Sequence, residues 1–343
     1  MASPHELLEL LEEGDEINIV CHNNPDPDCL ASALALGRIA AAAGIDERRI
    51  LYSGDISHQQ NRAFVNILGI DLTPFEGSTI RDRPPGSILA FVDHSVPGEN
   101  NPVPTDTPVD IVIDHHPAEG VEARFVESRE EVGAAATILT DYIRTLDVDL
   151  DADLATALLF AIRSDTLDFL RGATAAEYDA AEFLHEYADY EMIRQLSTPS
   201  VTGGTVDAIS TAIDNRRTYG AVLLSHVGRT TERDAIPQAV DYLVRLEGVE
   251  TAIVFGVVRG TVQISARSPD ARVHVGNVLR TAFEDVGSCG GHHDMAGGEI
   301  PLGILGDYES DDDQLLEILE EVITARLFAE LNLSDGSGDS GSE

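Results

Sequence analysis

The sequence contains no lysine, so its 22 basic residues are all arginines, and these face 61 acidic residues for a formal net charge of -39. So large a negative charge keeps a chain dispersed, but the chain repels itself unless salt screens the charges. We therefore expect adaptation to a salt-rich cytoplasm, as in a halophile. The shortage of basic residues also argues against long duplex nucleic acid as a partner, because duplexes are bound through many Lys and Arg contacts to phosphates.

Cysteines and long apolar segments are also scarce. Cys21, Cys29 and Cys289 form no CxxC pair, which is typical of reduced intracellular thiols. The most apolar predicted helix, Leu30 to Ile45, is short and interrupted by Arg38, so we expect no membrane span. The N-terminal segment lacks the basic and apolar regions of a signal peptide, and no GxxxxGK[ST] motif of a P-loop enzyme is present. These absences favour a cytoplasmic protein that does not bind membranes.

The length and the apolar content allow two domains. The chain has 343 residues, 43% of them hydrophobic, which suffices for two full cores. We predict a parallel-sheet α/β domain over residues 1–192, a linker over 193–205, a smaller α/β domain over 206–333 and a disordered acidic tail over 334–343. A Gly-rich loop with two histidines is predicted at residues 287–298.

Three apolar strands in the first half end directly at acidic or histidine residues. The strands are predicted at residues 16–21, 87–92 and 109–113, and a helix over 151–162 leads to a further acid. Near-continuous apolar strands indicate a parallel sheet covered on both faces, and ligands bind beyond the carboxyl ends of such strands. The side chains collected in this way are His22, Asp26, Asp28, Asp93, His115, His116 and Asp165.

This set of side chains favours a centre with two divalent metal ions. The loop after the first strand concentrates carboxylates that would repel one another without a cation, and carboxylates beside one imidazole suit Mn²⁺ or Mg²⁺. Two ions a few ångströms apart need about this many ligands and a bridging carboxylate. The alternative for the first loop is an Asx-rich turn in which Asp28 caps the following helix.

Four motifs, HNNPDPD, VDHS, DHH and SDT, resemble those of the DHH phosphoesterase superfamily, in the same order. The segment GGHHDMAGG resembles the Gly-rich motif of the DHHA1 domain, so the resemblance spans about residues 16 to 300. It implies an active site in the cleft between the domains, with two Mn²⁺ ions for which Mg²⁺ or Co²⁺ could substitute.

The resemblance also implies a role for each residue. His22 and Asp26 would hold one metal ion, and Asp28, His115 and Asp165 the other. Asp93 would bridge the two ions as a catalytic residue, and His116 would face the scissile phosphate as the second catalytic residue. The rest of the substrate would be bound by Arg267, Gly290, Gly291, His292 and His293.

Three neighbouring residues are less well defined by the sequence. The sequence leaves open whether Arg171, six residues after Asp165, contacts the site or forms a surface ion pair. His94 is expected to orient its neighbours, and Cys29 to pack within its helix.

A chain of this size is similar to the nanoRNase and pAp-phosphatase group, which degrades very short oligonucleotides and 3′-phosphoadenosine 5′-phosphate. The expected partner is therefore a short oligonucleotide or nucleotide substrate, and a homodimer is left open. The alternatives are a cyclic-dinucleotide phosphodiesterase, a RecJ-type single-strand exonuclease, a manganese-dependent pyrophosphatase and a non-catalytic nucleotide sensor. The pyrophosphatases share a histidine after the bridging aspartate, but they carry an SRKKQ-like segment where this chain has SARSP.

Overall fold

Six parallel strands form the central sheet of the first unit, Met1–Pro199, in the computed structural model. The structure describes residues 2–54, 56, 58–117, 120–306 and 312–331. The strands of this sheet are β1 (Glu16–Val20), β2 (Glu47–Tyr52), β3 (Thr73–Pro74), β4 (Ser87–Val92), β5 (Val109–Asp114) and β6 (Ala123–Ser128). Their order is β3-β2-β1-β4-β5-β6, so the predicted parallel sheet is confirmed.

Both faces of this sheet are covered. The helices of the unit are α1 (Pro4–Glu12), α2 (Pro27–Ala42), α3 (Gln59–Leu68), α4 (Gly77–Arg81), α5 (Ala135–Thr145), α6 (Ala152–Asp165), α7 (Ala175–His185) and α8 (Tyr190–Ser197). Alternate residues of β4 show the two faces, because Ala90 and Val92 join the core that contains α2, α5 and α6, whereas Leu89 and Phe91 join a second core. A strand buried on both faces has no polar alternation, which explains its continuous apolar sequence.

The sequence placed several elements of the first unit incorrectly. The strand β6 is absent from the predicted strands. The helix predicted from Leu30 begins at Pro27 instead, because the Asp26 carboxylate accepts hydrogen bonds of 3.1 Å from the N–H groups of Asp28 and Cys29. Asp26 is thus the N-cap and proline occupies the first helical position, where its missing N–H has no consequence.

The second unit, Ser200–Glu343, contains a mixed six-stranded sheet of order β11-β12-β10-β9-β8-β7. Only β8 and β9 pair in parallel among its described strands. The strands are β7 (Arg217–Tyr219), β8 (Val222–Arg229), β9 (Thr251–Val258), β10 (Thr261–Arg267), β11 (Ser288–Gly291) and β12 (Met295–Pro301). The helices are α9 (Gly203–Asp214), α10 (Ala235–Leu243), α11 (Val275–Phe283) and α12 (Asp312–Leu331). The predicted second α/β domain is therefore confirmed.

One prediction in this unit needs correction. The Gly-rich loop predicted at residues 287–298 is a hairpin of β11 and β12, whose strands pair antiparallel. The division between the two units, after Pro199, falls within the predicted linker 193–205, which also contains the end of α8 and the start of α9. The predicted acidic tail, 334–343, lies outside the described residues, and the domain boundaries stay predictions. Within the described part of the chain, no helix has the length and apolar character that a bilayer crossing needs.

Candidate active site

The predicted site residues gather where the order of the first sheet reverses direction. Strand β1 lies between β2 and β4, so chain connections leave this point toward both edges of the sheet. His22 follows β1, Asp93 follows β4 and His115 follows β5. Because all these strands are parallel, their carboxyl ends share one edge, and ligands of open α/β sheets bind at such a reversal.

Asp93 lies between two histidines and faces each with a different carboxylate oxygen. Its Oδ2 is 3.5 Å from Nε2 of His22, and its Oδ1 is 3.3 Å from Nε2 of His115. On the side of Asp93 that faces His22, Oδ1 of Asp26 also lies 3.8 Å from Nε2 of His22. The first cluster is therefore His22, Asp26 and Asp93.

The second cluster is centred on Nε2 of His115. Oδ2 of Asp165 lies 3.4 Å from this nitrogen and Oδ2 of Asp28 lies 3.8 Å from it. Asp93 belongs to this cluster as well, so the two groups share one carboxylate. The structure thus brings all six predicted metal ligands together.

Two buried atoms of the candidate ligands lack hydrogen-bond partners among the described residues, and they face each other across the cluster: Oδ1 of Asp93 and Nε2 of His115. Leaving a buried acceptor unsatisfied costs roughly 1–3 kcal/mol. The backbone of Asp93 is also left-handed, with a φ of 62°, which costs a further ~1–2 kcal/mol. Strain and unpaired acceptors at one point fit a site that binds cations, and the nitrogen and oxygen donors suit Mn²⁺ or Mg²⁺.

Asp28 is fully buried and joins two helices. Its carboxylate accepts hydrogen bonds of 2.7 Å from the N–H of Ala135 and 2.8 Å from the N–H of Ala136, in the first turn of α5. A helix N-terminus favours a negative charge, so α5 stabilises the ionised carboxylate. The alternative in which Asp28 caps its own helix is wrong, because Asp26 is that cap.

Electrostatics in the cluster follow from burial and from like charges. Burial and the nearby carboxylates of Asp93 and Asp26 raise the pKa of Asp165 to about 6. Burial likewise raises the pKa of Asp28, with Asp93 and Asp165 adding to the effect. Burial opposes protonation of His115, but the carboxylates of Asp93, Asp28 and Asp165 together outweigh it and raise the pKa of this imidazole to about 10. Carboxylates that disfavour one another's charge in this way favour a bound cation.

Asp114, the first residue of the DHH motif, has an orienting role that the sequence did not reveal. One of its carboxylate oxygens accepts the backbone N–H groups of His115 at 2.8 Å and His116 at 3.0 Å, and also lies 3.0 Å from Nδ1 of His116. The other oxygen accepts the hydroxyl of Ser95 at 2.5 Å. The backbone carbonyl of Val132 lies 3.2 Å from Nδ1 of His115, which leaves Nε2 free to face the cluster.

Two further residues, Cys29 and His94, lie beside the site. Cys29 is fully buried, and its sulfur lies within 4.8 Å of ligand atoms of His22 and Asp93, whereas the sequence indicated only helix packing. His94 is buried, with Nδ1 2.9 Å from the carbonyl of Val92, and burial lowers its pKa to about 4. His94 is therefore neutral at neutral pH.

The predicted substrate residues lie together in the second unit. Strand pairing sets Arg267 opposite Met295, and the N–H of Ser268 donates 2.9 Å to the carbonyl of Asp294, so the end of β10 adjoins the turn of the hairpin. The guanidinium of Arg267 forms an ion pair of 2.8 Å with Asp241.

The glycines and histidines of this hairpin also make specific contacts. Gly290 and Gly291 lie in β11, and the carbonyls of His292 and His293 accept the first N–H groups of α11. Gly276 permits this contact, because a Cβ there would lie 2.2 Å from the carbonyl oxygen of Gly291. The hairpin is thus fixed against the helix.

Two family models match this chain. One, described as DHH family, N-terminal domain, matches residues 16–162, and the other, described as DHHA1 domain, matches residues 219–325. The first contains all the candidate ligands except Asp165, which lies just beyond its end. The second contains the hairpin and Arg267.

Similar curated proteins fall into two groups. An uncharacterized protein of Methanocaldococcus jannaschii is 36% identical over 332 residues, which cover 96% of this chain and 67% of that protein. A probable manganese-dependent inorganic pyrophosphatase of Listeria monocytogenes serotype 4a is 31% identical over 175 residues, which cover 50% of this chain and 55% of the relative. The chain thus spans about half the length of the pyrophosphatase that it matches.

Solved structures share the fold across nearly the whole chain. An exopolyphosphatase-related protein from Bacteroides fragilis has a TM-score of 0.73 at 15% identity, covering 96% of this chain and 97% of that one. RecJ from Thermus thermophilus, in complex with Mn²⁺, has a TM-score of 0.53 at 15% identity, covering 97% of this chain and 54% of that one. At these identities the likeness shows the fold alone.

Proposed function

Because the chain belongs to the DHH family of phosphoesterases, we propose that it hydrolyses short oligonucleotides and 3′-phosphoadenosine 5′-phosphate (pAp) with two bound Mn²⁺ ions. One observation carries the proposal: a single buried carboxylate, that of Asp93, faces two separate ligand clusters with its two oxygens. A bridging carboxylate between two ligand sets is the arrangement that two-metal hydrolysis requires.

The chain's own residues have distinct tasks in this proposal. His22 and Asp26 would hold one ion, and Asp28, His115 and Asp165 would hold the other, with Asp93 contributing to both. The bound ions supply Lewis acidity toward the phosphoryl oxygens.

In this proposal, His116 contacts the scissile phosphate directly. Its side chain is 56% exposed, and Asp114 beside it raises its pKa, so the imidazole carries a proton more readily than usual. A protonated imidazole donates a charge-assisted hydrogen bond to a phosphate oxygen. Asp114 fixes the ring for this purpose.

The second unit binds the part of the substrate that does not react. Arg267 and the hairpin residues Gly290, Gly291, His292 and His293 provide a guanidinium, backbone N–H groups and imidazoles for a second phosphate or a base. Arg267→Ala should lower kcat/KM for a dinucleotide by about ten- to a hundred-fold and leave a minimal ester unaffected. Equal losses on both substrates would contradict this division of tasks.

The test is a substrate panel in high KCl with Mn²⁺. It contains dinucleotides, pAp, a cyclic dinucleotide, long single strands, pyrophosphate and bis-p-nitrophenyl phosphate, each assayed with the wild-type chain and with Asp93→Asn. Highest kcat/KM on dinucleotides or pAp, lost in the variant, supports the proposal. Preference for the cyclic dinucleotide or for long strands would overturn it in favour of those substrates, and inactivity on every member would favour a nucleotide sensor.

A pyrophosphatase is the second candidate. The observation that favours it is similarity to manganese-dependent pyrophosphatases, together with the histidine, His94, that follows Asp93. That similarity covers half of the chain, and the chain lacks the lysines of the SRKKQ-like segment of those enzymes. Hydrolysis of pyrophosphate in preference to every nucleotide would establish this candidate.

A further inference from the structure

The turn that follows Asp165, residues 166–172, has an unusual backbone. Three consecutive residues with side chains, Leu167, Asp168 and Phe169, have φ values of 50°, 56° and 66°. Residues other than glycine adopt this left-handed conformation one at a time, and strain of this kind collects at binding sites.

The turn is held firmly despite its strain. The N–H of Arg171 donates 2.8 Å to the carbonyl of Thr166, which closes the turn. Gly133 packs against it so closely that a Cβ there would lie 2.7 Å from Cγ2 of Thr166 and 2.9 Å from the carbonyl oxygen of Gly172. The preceding residue, Val132, is the one whose carbonyl contacts His115, so the turn and the second ligand cluster share a supporting loop.

The turn brings an arginine back to the backbone of Asp165, a residue of the second ligand cluster. Nη2 of Arg171 donates 3.2 Å to the backbone carbonyl of Asp165, whose carboxylate belongs to that cluster. At least thirteen of the chain's 22 basic residues, all arginines, form ion pairs with described carboxylates, but Arg171 forms none with a carboxylate among the described residues. Arg171 as a whole is exposed to solvent. In a chain so rich in acids, an exposed arginine at the backbone of a candidate metal ligand fits an anionic partner.

Two exposed apolar side chains lie in the same turn as this arginine. Leu170 is 88% exposed and Leu167 is 46% exposed, in the same turn. Exposed leucines beside an available guanidinium match a ligand that presents a phosphate next to an apolar face, which is what a nucleotide offers.

We propose that Arg171, Leu167 and Leu170 form a substrate subsite within the first unit, which binds the phosphate adjacent to the scissile one and the sugar attached to it, while the base is left to Arg267 and the hairpin of the second unit. The subsite rests on the proposed function, because it assumes a nucleotide substrate. It makes Arg171 a specificity-determining residue, which selects substrates with a second phosphate near the cleaved bond.

The competing explanation is that Arg171 only caps α6. Basic side chains near a helix carboxyl end bind its last carbonyls, and the bond to Asp165 is of this kind. Such a cap would affect stability and every substrate equally. A substrate contact would raise KM only for substrates that reach the subsite.

The experiment uses the full chain with Mn²⁺ in high KCl and measures kcat and KM separately for pAp, a dinucleotide and bis-p-nitrophenyl phosphate. The variants are Arg171→Gln and Leu170→Ser, with Arg144→Gln as the matched control, because Arg144 is an exposed arginine of the same unit that is paired with Asp141. Melting temperature and bound Mn²⁺ are measured for each variant.

We expect Arg171→Gln to raise KM for pAp about ten- to a hundred-fold. Its kcat, its Mn²⁺ content and its KM for bis-p-nitrophenyl phosphate should stay unchanged. Leu170→Ser should raise KM for the nucleotides about three- to tenfold, since it removes part of the apolar contact.

The outcomes separate the subsite from the proposed function. A wild-type chain active on nucleotides together with an Arg171→Gln variant that matches Arg144→Gln would overturn the subsite and leave the function standing. A lower melting temperature with equal losses on all three substrates would assign Arg171 to the helix cap and also overturn the subsite. A wild-type chain inactive on every nucleotide would overturn the proposed function, and the subsite with it.

Discussion

The hydroxyl of Ser95 donates a 2.5 Å hydrogen bond to Oδ2 of Asp114, whose other oxygen lies 3.0 Å from Nδ1 of His116. This chain of contacts fixes the imidazole that we propose to contact the phosphate. The sequence separates Ser95 from its carboxylate by a whole strand and a long loop. Only the parallel pairing of β4 and β5 brings the two together.

Removing this support should slow hydrolysis without removing metal. Asp114→Asn loses the charge that holds His116, so kcat should fall about ten- to a hundred-fold, and Ser95→Ala should give a smaller loss. The measurements are kcat and bound Mn²⁺. The control is Ser32→Ala, which removes a buried hydroxyl that has no hydrogen-bond partner among the described residues. An unchanged kcat in Asp114→Asn would show that the orientation of His116 is irrelevant to the reaction.

The shared position of Asp93 predicts a difference between two ligand substitutions. Asp93→Asn should lower the affinity for both ions and abolish hydrolysis, whereas Asp26→Asn keeps an acceptor for the helix cap and should weaken only one ion. Bound Mn²⁺ per chain after gel filtration distinguishes the two. Retention of two ions by Asp93→Asn, at a near-normal rate, would contradict the bridging role.

Glu177 gives a prediction about pH that is independent of metal. This buried carboxylate accepts the N–H of Thr174 at 2.6 Å and the N–H of Gly133 at 2.8 Å, so it fastens α7 to the loop before α5. Burial raises the pKa of Glu177, but these hydrogen bonds outweigh burial and hold its pKa below the ordinary value of 4.5. The ionised group therefore stabilises the fold above pH 4.5, and this contribution is lost as the pH falls through the lower, folded-state pKa.

Glu177→Gln should accordingly lower the free energy of unfolding by roughly 1–3 kcal/mol at about pH 7. The difference from wild type should shrink as the pH falls below about 4.5. Denaturant melts across this range measure it, with Glu182→Gln, an exposed residue of the same helix, as the control. A difference that grows toward acid would reverse the predicted sign.

The excess of negative charge predicts that stability rises with salt. The 61 acidic side chains repel one another less when counter-ions screen them, so the melting temperature should climb from low to molar KCl. A neutral osmolyte at matched osmolality controls for water activity. A flat or falling melting temperature would argue against adaptation to a salt-rich cytoplasm.

The sequence predicted the first sheet and all six candidate ligands because each apolar strand is followed directly by acidic or histidine residues. It could not predict Asp114, because the letters of the DHH motif do not tell an orienting carboxylate from a ligand. Nor could it predict the bond from Asp28 to α5, which joins residues that are 107 positions apart. The glycines of the β11–β12 hairpin predict a loop, because glycine disfavours strands. In the structure, β12 pairs with β10 and β11 pairs with β12, and this pairing imposes the extended conformation.

The strand order also determines when the site can form during folding. His22 meets Asp93 only after β4 has paired with β1, across roughly 70 intervening residues, and parallel pairing of this kind is slow to nucleate. Asp165 lies later still in the chain, so no short fragment contains both ligand clusters. A metal ion held by both clusters would therefore bind only a nearly complete first sheet, and it should slow the unfolding of the protein far more than it speeds its folding.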